Sequence, residues 1–284
     1  MLGIFLAISS AFCFSCMNLI DKYVVDKKLQ NFWGFMPNAG IVNTLIGLIL
    51  FIFYPLQINL GSLYAAIAGI ALGIGAFLYF YMLQYDDASS IIGLIYIYPV
   101  LVTLGGVIIL GEKITPIFVI GLFLLVAGAL IGLFRFHKIK HVLLILLISL
   151  ISLSVVDDIL SKLAMDFVSF MHATAVFCFC LGTTQLVALF KKESRETVSK
   201  HFHIIPYFVL SDIFTTLGLI LSFAALTLIP VSIFSALSIL QVFFLLFLEK
   251  IYAIYNPKVK IMLRHKYLSV TFIATGFVLV VLPG

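Results

Sequence analysis

One carboxyl group stands alone in an apolar stretch of this sequence, at Asp212. It lies about eight residues into an apolar run, at roughly 12 Å of helical rise, with no basic residue within one turn. Burying an ionisable side chain at the centre of a membrane costs at least about 2.5 to 3.5 kcal/mol on insertion scales. Reversible protonation is the chemistry that such a group offers, and we predict that Asp212 binds a coupling proton. A neutral aspartate that hydrogen-bonds between helices is the alternative.

A second acidic group is the pair Asp157 and Asp158, with Lys162 four residues after Asp158. That spacing predicts an ion pair on one helix face. Adjacent aspartates point about 100° apart on a helix, so only one of them can line a central path. We choose Asp158, because a comparison of the two halves of the chain pairs it with Asn18. Both Asn18 and Asp158 are therefore predicted to bind substrate.

Aromatic hydroxyls form a third set, in two neighbouring apolar runs. Tyrosine rings can stack on a substrate or hydrogen-bond to it in a largely apolar pocket. Anchoring at the membrane surface is the alternative. In the second half Gln241 is the corresponding polar residue, whereas the serines nearby are expected to join helices. The residues predicted to bind substrate are Tyr79, Tyr81, Tyr96, Tyr98 and Gln241.

Other reactive residue types do not form a site in the sequence. The pairs Cys13-x-x-Cys16 and Cys178-x-Cys180 lie in apolar runs without histidine at ligand spacing, where cysteine behaves as a small hydrophobe. The histidines form no zinc-like cluster. A glycine-rich phosphate loop with a lysine is absent, so ATP-driven transport has no support. We expect no cofactor, no bound metal and no catalytic residues.

These residues must be positioned by membrane helices. The chain is 63% hydrophobic and only 10% charged, which is far from the charge of an ordinary soluble domain. Continuous apolar runs of about twenty residues match the length of a helix that spans the membrane, and lipid excludes open strands. We predict an all-α polytopic membrane protein with ten spans, near 2–20, 32–54, 61–82, 90–110, 115–134, 141–160, 168–190, 204–225, 229–248 and 267–283.

Basic residues predict how the spans are oriented. Fifteen lysines and arginines lie on the side of the loops after spans 1, 5, 7 and 9, against only Lys113 and Lys162 on the other side. The positive-inside rule places those loops in the cytoplasm and both termini outside. We therefore expect a basic surface that faces membrane lipids and no nucleic-acid partner. The short tails indicate a prokaryotic inner membrane. We interpret Glu112 and Lys113 as an interfacial pair.

The two halves repeat a weak pattern. Asn18 to Lys22 aligns with Asp158 to Lys162 at a shift of 140 residues, and Gly75 and Ser89 align with Gly218 and Ser232 at a shift of 143. Their common order predicts a duplicated five-helix unit, over residues 1–140 and 141–284. Because five is odd, the second copy enters the membrane inverted, as in secondary transporters.

Four motifs in the first half follow one another as Tyr79 to Ser90, Tyr98-Pro99, Leu110-Gly-Glu-Lys-Ile-Thr115 and Gly121 to Gly128. A looser version follows in the second half, from Ala224 to Ser232 and over Ser238-Ile-Leu-Gln241. Together they resemble the EamA domain of the drug/metabolite transporter superfamily. The second half departs from this pattern at Val242, where the family commonly has proline, and in its Leu-Gly-Glu motif. Glu249 consequently has two interpretations: the membrane boundary, or a position inside a helix that runs to about Tyr255.

The resemblance implies a ten-helix carrier whose cavity is lined mainly by helices 1, 3, 4, 6, 8 and 9. It also implies that Lys22 or Lys162 binds or gates substrate, with a surface-anchoring lysine at a helix end as the alternative. We expect a secondary transporter that moves a small organic metabolite by alternating access, with a proton or a counter-substrate as its partner. A membrane enzyme that modifies lipids and a scaffold that does not transport are the other classes left open.

Overall fold

The protein is mainly helical in the part of the chain that its computed structural model describes, namely residues 1–27, 32–82, 95–133, 141–200, 205–255 and 266–281. Twelve α-helices lie in these ranges: α1 (Leu2–Lys27), α2 (Phe32–Phe53), α3 (Leu60–Met82), α4 (Tyr98–Leu110), α5 (Pro116–Leu133), α6 (His141–Ala164), α7 (Phe170–Leu186), α8 (Lys192–Lys200), α9 (Ile205–Leu226), α10 (Val231–Ser238), α11 (Leu240–Tyr255) and α12 (Lys266–Val281).

Membrane-spanning helices account for most of these elements. Seven spans in the described ranges are long and apolar enough to cross a bilayer, and α10 and α11 together form one of them. Three further apolar helices, α4, α5 and α12, are shorter. Large apolar side chains such as Ile52 and Ile108 are 75% and 79% exposed on the outside of the bundle, where lipid would cover them. The described chain contains no strand.

Several predicted boundaries need correction. The first span continues to Lys27, and the sixth continues to Ala164, so that Asp157 and Asp158 lie well inside α6 and not in its last turn. The sequence does not predict the short polar helix α8, because its charged residues are equally typical of a connection. The ninth span continues to Tyr255, and Glu249 therefore lies within α11, although its side chain is outside the described part of the chain.

A break divides the ninth span between Ser238 and Leu240. Two serine hydroxyls donate to the carbonyl three residues earlier, Ser235 Oγ to Ser232 O at 3.1 Å and Ser238 Oγ to Ser235 O at 2.7 Å. Such bonds compete with the helical ladder and loosen it. At the break, the Ile239 backbone nitrogen donates to Ala236 O, a tighter turn than that of an α-helix. The polar side chain of Ser238 thereby lies at a helix discontinuity inside the bundle.

The largest helix contacts each join a helix of the first half of the chain to a helix of the second half. The largest contacts join α5 to α12, α2 to α7, α1 to α9 and α3 to α6, and α4 packs on α10. Glycines bring two of these pairs together, since a Cβ added at Gly40 would lie 2.9 Å from Gly182 O and one added at Gly276 would lie 2.7 Å from Gly121 O. Small residues at such crossings let helix backbones approach closely within a membrane.

Replacing Gly276 by valine is expected to destabilise the protein by about 1 to 3 kcal/mol, because the new side chain would overpack α12 against α5. The measurement is the midpoint of thermal unfolding of the purified protein in detergent. Ala274→Val is the matched control, since Ala274 lies on the exposed side of the same helix. Equal midpoints for the two variants would contradict the close contact of Gly276 with Gly121.

Candidate functional site

Polar side chains from α4, α6 and α10 meet inside the bundle. The Tyr98 hydroxyl lies 2.7 Å from Ser238 Oγ. Because Ser238 gives its own proton to Ser235 O, Tyr98 is the donor in this contact. Asp158 lies within electrostatic range of Tyr98, and its Oδ2 atom is buried without a hydrogen-bond partner among the described residues. The three side chains leave one carboxylate oxygen free to receive a donor from a ligand.

A second polar group lies between α2, α7 and α9. Asn43 Nδ2 donates to Asp212 Oδ1 at 3.1 Å and reaches Gln185 Oε1 at 3.4 Å. All three side chains are buried, with exposed fractions of 1% for Asn43, 5% for Asp212 and 6% for Gln185. Asp212 is therefore an acidic group held by an amide inside the bundle.

Three further residues connect these groups. Asp21 on α1 accepts a hydrogen bond of 2.5 Å from Ser211 Oγ and lies within electrostatic range of Asp212. Tyr79 on α3 interacts electrostatically with Asp21, and Tyr96, just before α4, interacts with Tyr79. Tyr96 in turn interacts with Tyr98. Electrostatic interactions thus link the two groups through a series of ionisable side chains. We call this series the polar column: Asp212, Asp21, Tyr79, Tyr96, Tyr98 and Asp158.

The Leu-Gly-Glu motif closes one end of the bundle. Gly111 ends α4 in the left-handed conformation, with φ of 66°, which glycine adopts without strain. The chain then turns so that Glu112 reaches α10, whose Val231 nitrogen donates to Oε1 at 2.6 Å and whose Ser232 nitrogen and hydroxyl donate to Oε2 at 3.1 and 2.6 Å. A carboxylate at a helix N-terminus satisfies free N–H groups and complements the helix dipole.

Glu112 was predicted to form an interfacial pair with Lys113, and this prediction is wrong for Glu112. Its carboxylate is committed to α10, whereas the Lys113 side chain is exposed. Space for the carboxylate is provided by Gly106, since a Cβ there would lie 2.8 Å from Glu112 Oε2. Three residues therefore act together: Gly111 turns the chain, Gly106 leaves space, and Glu112 binds α10.

Lys162 also binds the connection between α9 and α10, at residues other than those that Glu112 binds. Its Nζ atom donates to Leu226 O at 2.5 Å and to Ile229 O at 3.1 Å, at the C-terminal end of α9. A cation at this position satisfies carbonyl groups that lack helical partners. The predicted ion pair with Asp158 is thus wrong, because the lysine points to these carbonyls. We call Glu112 and Lys162, with the connection from Leu226 to Ser232 that they hold, the clasp.

The sequence of residues 1–134 matches the EamA-like transporter family. Residues 1–134 belong to that family. The matched region is the domain of the drug/metabolite transporter superfamily, and together with the seven apolar spans of the described chain it supports an integral membrane protein. The EamA-like domain contains Asn43, Tyr79, Tyr98 and Glu112, and so contributes one side of each group described above.

A solved crystal structure has the same fold as the whole chain. It superposes with a TM-score of 0.70 at 14% sequence identity and covers 98% of this chain and 97% of its own. At this identity the likeness establishes the fold alone. The curated proteins contain no match to this sequence.

The remaining predicted residues lie outside the polar column. Asn18 on α1 and Gln241 on α11 are half-buried, and the Gln241 backbone oxygen accepts a hydrogen bond of 2.9 Å from Ser15 Oγ. Tyr81 is 37% exposed, on a different face of α3 from Tyr79. Lys22 lies in α1, and its side chain is outside the described part of the chain.

Sequence reasoning did not select Asp21, Asn43, Gln185 or Ser211. Asn43 carried a usable signal, since it is an amide within an otherwise apolar run of the EamA-like domain. Asp21 lies beside Lys22, just beyond the predicted first span, and no role is predicted for it from the sequence. The pairing of these residues with Asp212 depends on contacts between helices far apart in sequence, which periodicity does not reveal.

Proposed function

We propose that the protein is a secondary transporter that moves a small organic metabolite across its membrane by alternating access. The observation that supports this most directly is the polar column, whose ionisable side chains lie inside a largely apolar bundle, from Asp212 to Asp158. Ionisable residues inside membrane helices are costly and mark substrate and ion pathways. The residues of the column lie on α1, α3, α4, α6 and α9 or beside α4, and the EamA-like family consists of transporters.

The proposed architecture is ten membrane helices in two inverted repeats, residues 1–140 and 141–284. In this architecture the helices of the two repeats correspond in order: α1 with α6, α2 with α7, α3 with α9, α4 with α10 and α11 together, and α5 with α12. When the two repeats are exchanged, the contact of α1 with α9 becomes the contact of α6 with α3, and the contact of α3 with α7 becomes that of α9 with α2. All four contacts occur, so the packing supports a two-fold relation between the repeats.

In this transporter the substrate would bind between the halves, where Tyr98, Ser238 and Asp158 meet. Discontinuous helices line substrate sites in carriers with inverted repeats, and the break at Ser238 is of that kind. The proposed substrate-binding set is Asn18, Lys22, Tyr79, Tyr81, Tyr96, Tyr98, Asp158 and Gln241. Amino acids, drug-like compounds and compounds with sugar or phosphate groups are the substrate classes to be tested.

The clasp supplies the proposed closure of one end. Glu112 lies on the first repeat, Lys162 on the second, and both hold the short connection between α9 and α10. Rocking of the halves would have to release the Glu112 contacts, which join the two repeats, before the column opens on that side; the Lys162 contacts lie within the second repeat. By the positive-inside rule this end faces away from the cytoplasm, as do both termini, and the proposed location is a prokaryotic inner membrane.

The experiment that tests this function measures uptake into proteoliposomes from a pooled panel of amino acids, nucleotide-sugars, organic phosphates and hydrophobic amines. We expect a pH gradient to drive accumulation of at least one compound by the wild type. Asp212→Asn, which cannot exchange a proton, should lose this accumulation by at least tenfold while retaining downhill exchange. Absence of flux for every compound would contradict the proposed function, and accumulation by the variant would place the coupling group elsewhere.

A further inference from the structure

Two buried oxygen atoms, on side chains that are bonded to each other, lack hydrogen-bond partners in the described part of the structure. They are Asn43 Oδ1, on α2, and Asp212 Oδ2, on α9. The same two residues are joined by the bond from Asn43 Nδ2 to Asp212 Oδ1. Both side chains are more than nine-tenths buried. A buried polar atom without a partner costs free energy, so each of these two atoms calls for a partner.

The orientation of the Asn43 amide is fixed by its surroundings. Its Nδ2 atom faces three acceptor oxygens, Ala39 O at 3.1 Å, Asp212 Oδ1 at 3.1 Å and Gln185 Oε1 at 3.4 Å. A reversed amide would place Oδ1 against all three oxygens. The amide therefore presents Oδ1 as an acceptor, and exchange of its two ends does not supply the missing donor.

The charges around the pair also favour a cation. Asp21 on α1 lies within electrostatic range of Asp212 and adds negative charge. The other titratable groups that face these carboxyls are Cys178 on α7, a weak donor at best, and Tyr79 on α3, which interacts with Asp21. Asp21 already accepts the Ser211 hydroxyl. The described groups around Asp212 therefore provide more acceptors than donors.

We propose that Asn43 and Asp212 form a site for one small cation, either a proton on Asp212 Oδ2 or a sodium ion held by the two oxygens without partners. Carboxylate and amide oxygens are suitable ligands for such a hard cation. Asn43 belongs to the first half of the chain and Asp212 to the second, so the bound cation ties α2 to α9. The inference rests on the proposed function in taking this cation as the coupling ion, and it assigns Asn43 as the second residue of the site.

Cation binding is measured without transport, as the thermal unfolding midpoint of the purified full chain in detergent. Sodium chloride is compared with choline chloride at equal ionic strength, from mildly acidic to mildly alkaline pH. A cation at a hundredfold its dissociation constant should raise the midpoint by roughly 5 to 10 °C for a chain of this size. A rise specific to sodium identifies sodium, and a rise on acidification that does not depend on sodium identifies the proton.

Variants separate this site from the other carboxyls. Asp212→Asn and Asn43→Leu should each reduce the rise to less than half of the wild-type value, whereas Asn43→Asp, which adds a carboxylate, should enlarge it. Ser222→Ala is the matched control, since Ser222 is a buried polar residue of α9 that bonds to Ser10. A wild-type midpoint that responds to neither cation, or a response that survives in Asp212→Asn, would overturn the proposal. Transport in proteoliposomes without a cation-dependent rise in the midpoint would refute the cation site but leave the proposed function standing. A cation-dependent rise without transport of any compound would refute the proposed function but leave the cation site standing.

Discussion

Glu112→Ala should lower the free energy of unfolding by about 2 to 4 kcal/mol, because it leaves two backbone N–H groups and one hydroxyl of α10 without their acceptor. This corresponds to a fall of about 4 to 16 °C in the thermal unfolding midpoint. The same change should open the clasp, so that a cysteine placed in the connection from Leu226 to Ser232 reacts faster with a membrane-impermeant reagent. Both quantities are measured on the reconstituted or purified protein.

Two variants serve as references for this result. Lys113→Ala removes the exposed neighbouring charge and should change neither the midpoint nor the labelling rate. Glu112→Gln keeps one acceptor oxygen and should have a smaller effect than Glu112→Ala. If Glu112→Ala behaved like Lys113→Ala, the carboxylate would not be holding α10, and its closure of that end of the bundle would be wrong.

Asp158→Asn should reduce transport of the pooled panel by at least tenfold with little change in stability. Asp158 Oδ2 has no hydrogen-bond partner among the described residues, so the neutral amide costs the fold little. In contrast, a substrate donor that approaches this oxygen beside Tyr98 would lose a charged acceptor, and charge-assisted hydrogen bonds are roughly twice as strong as neutral ones. Initial uptake rates and unfolding midpoints are measured on the same preparations.

Asp166→Asn is the matched control for this prediction. Asp166 follows α6 and is exposed, so its loss should leave uptake within a factor of two of the wild type. A similar uptake rate in Asp158→Asn would remove Asp158 from the substrate path. A large fall in its unfolding midpoint would instead indicate a structural role for the carboxylate.

Much of the fold follows from the sequence because lipid permits few solutions. A continuous apolar run of about twenty residues in a membrane must be helical, and spans such as α2, α3 and α9 lie within a residue or two of their predicted ends. The break at Ser238 was not predicted, because serine alone does not end a helix. Hydroxyl-to-carbonyl bonds within one turn caused it, and these depend on side-chain conformation.

The site was predictable only in part, for a related reason. Asp212 and Asp158 stood out because charge in an apolar run has a clear cost. Glu112 and Lys162 lay near span ends, where a charged side chain normally extends to water, so the sequence favoured a surface role for each. Their actual partners are backbone groups of the connection between α9 and α10. Every residue has the same backbone groups, so the sequence does not show which of them lack partners. Only the packed structure reveals this.

The most direct test of the transporter is counterflow. Proteoliposomes are loaded with an unlabelled compound identified in the pooled uptake assay, and labelled compound is supplied outside at low concentration. We predict a transient accumulation of label above its equilibrium level, because a carrier that alternates its access exchanges inner for outer substrate. A steady approach to equilibrium without overshoot would indicate a channel, and chemical conversion of the label would indicate an enzyme; either result would contradict alternating access.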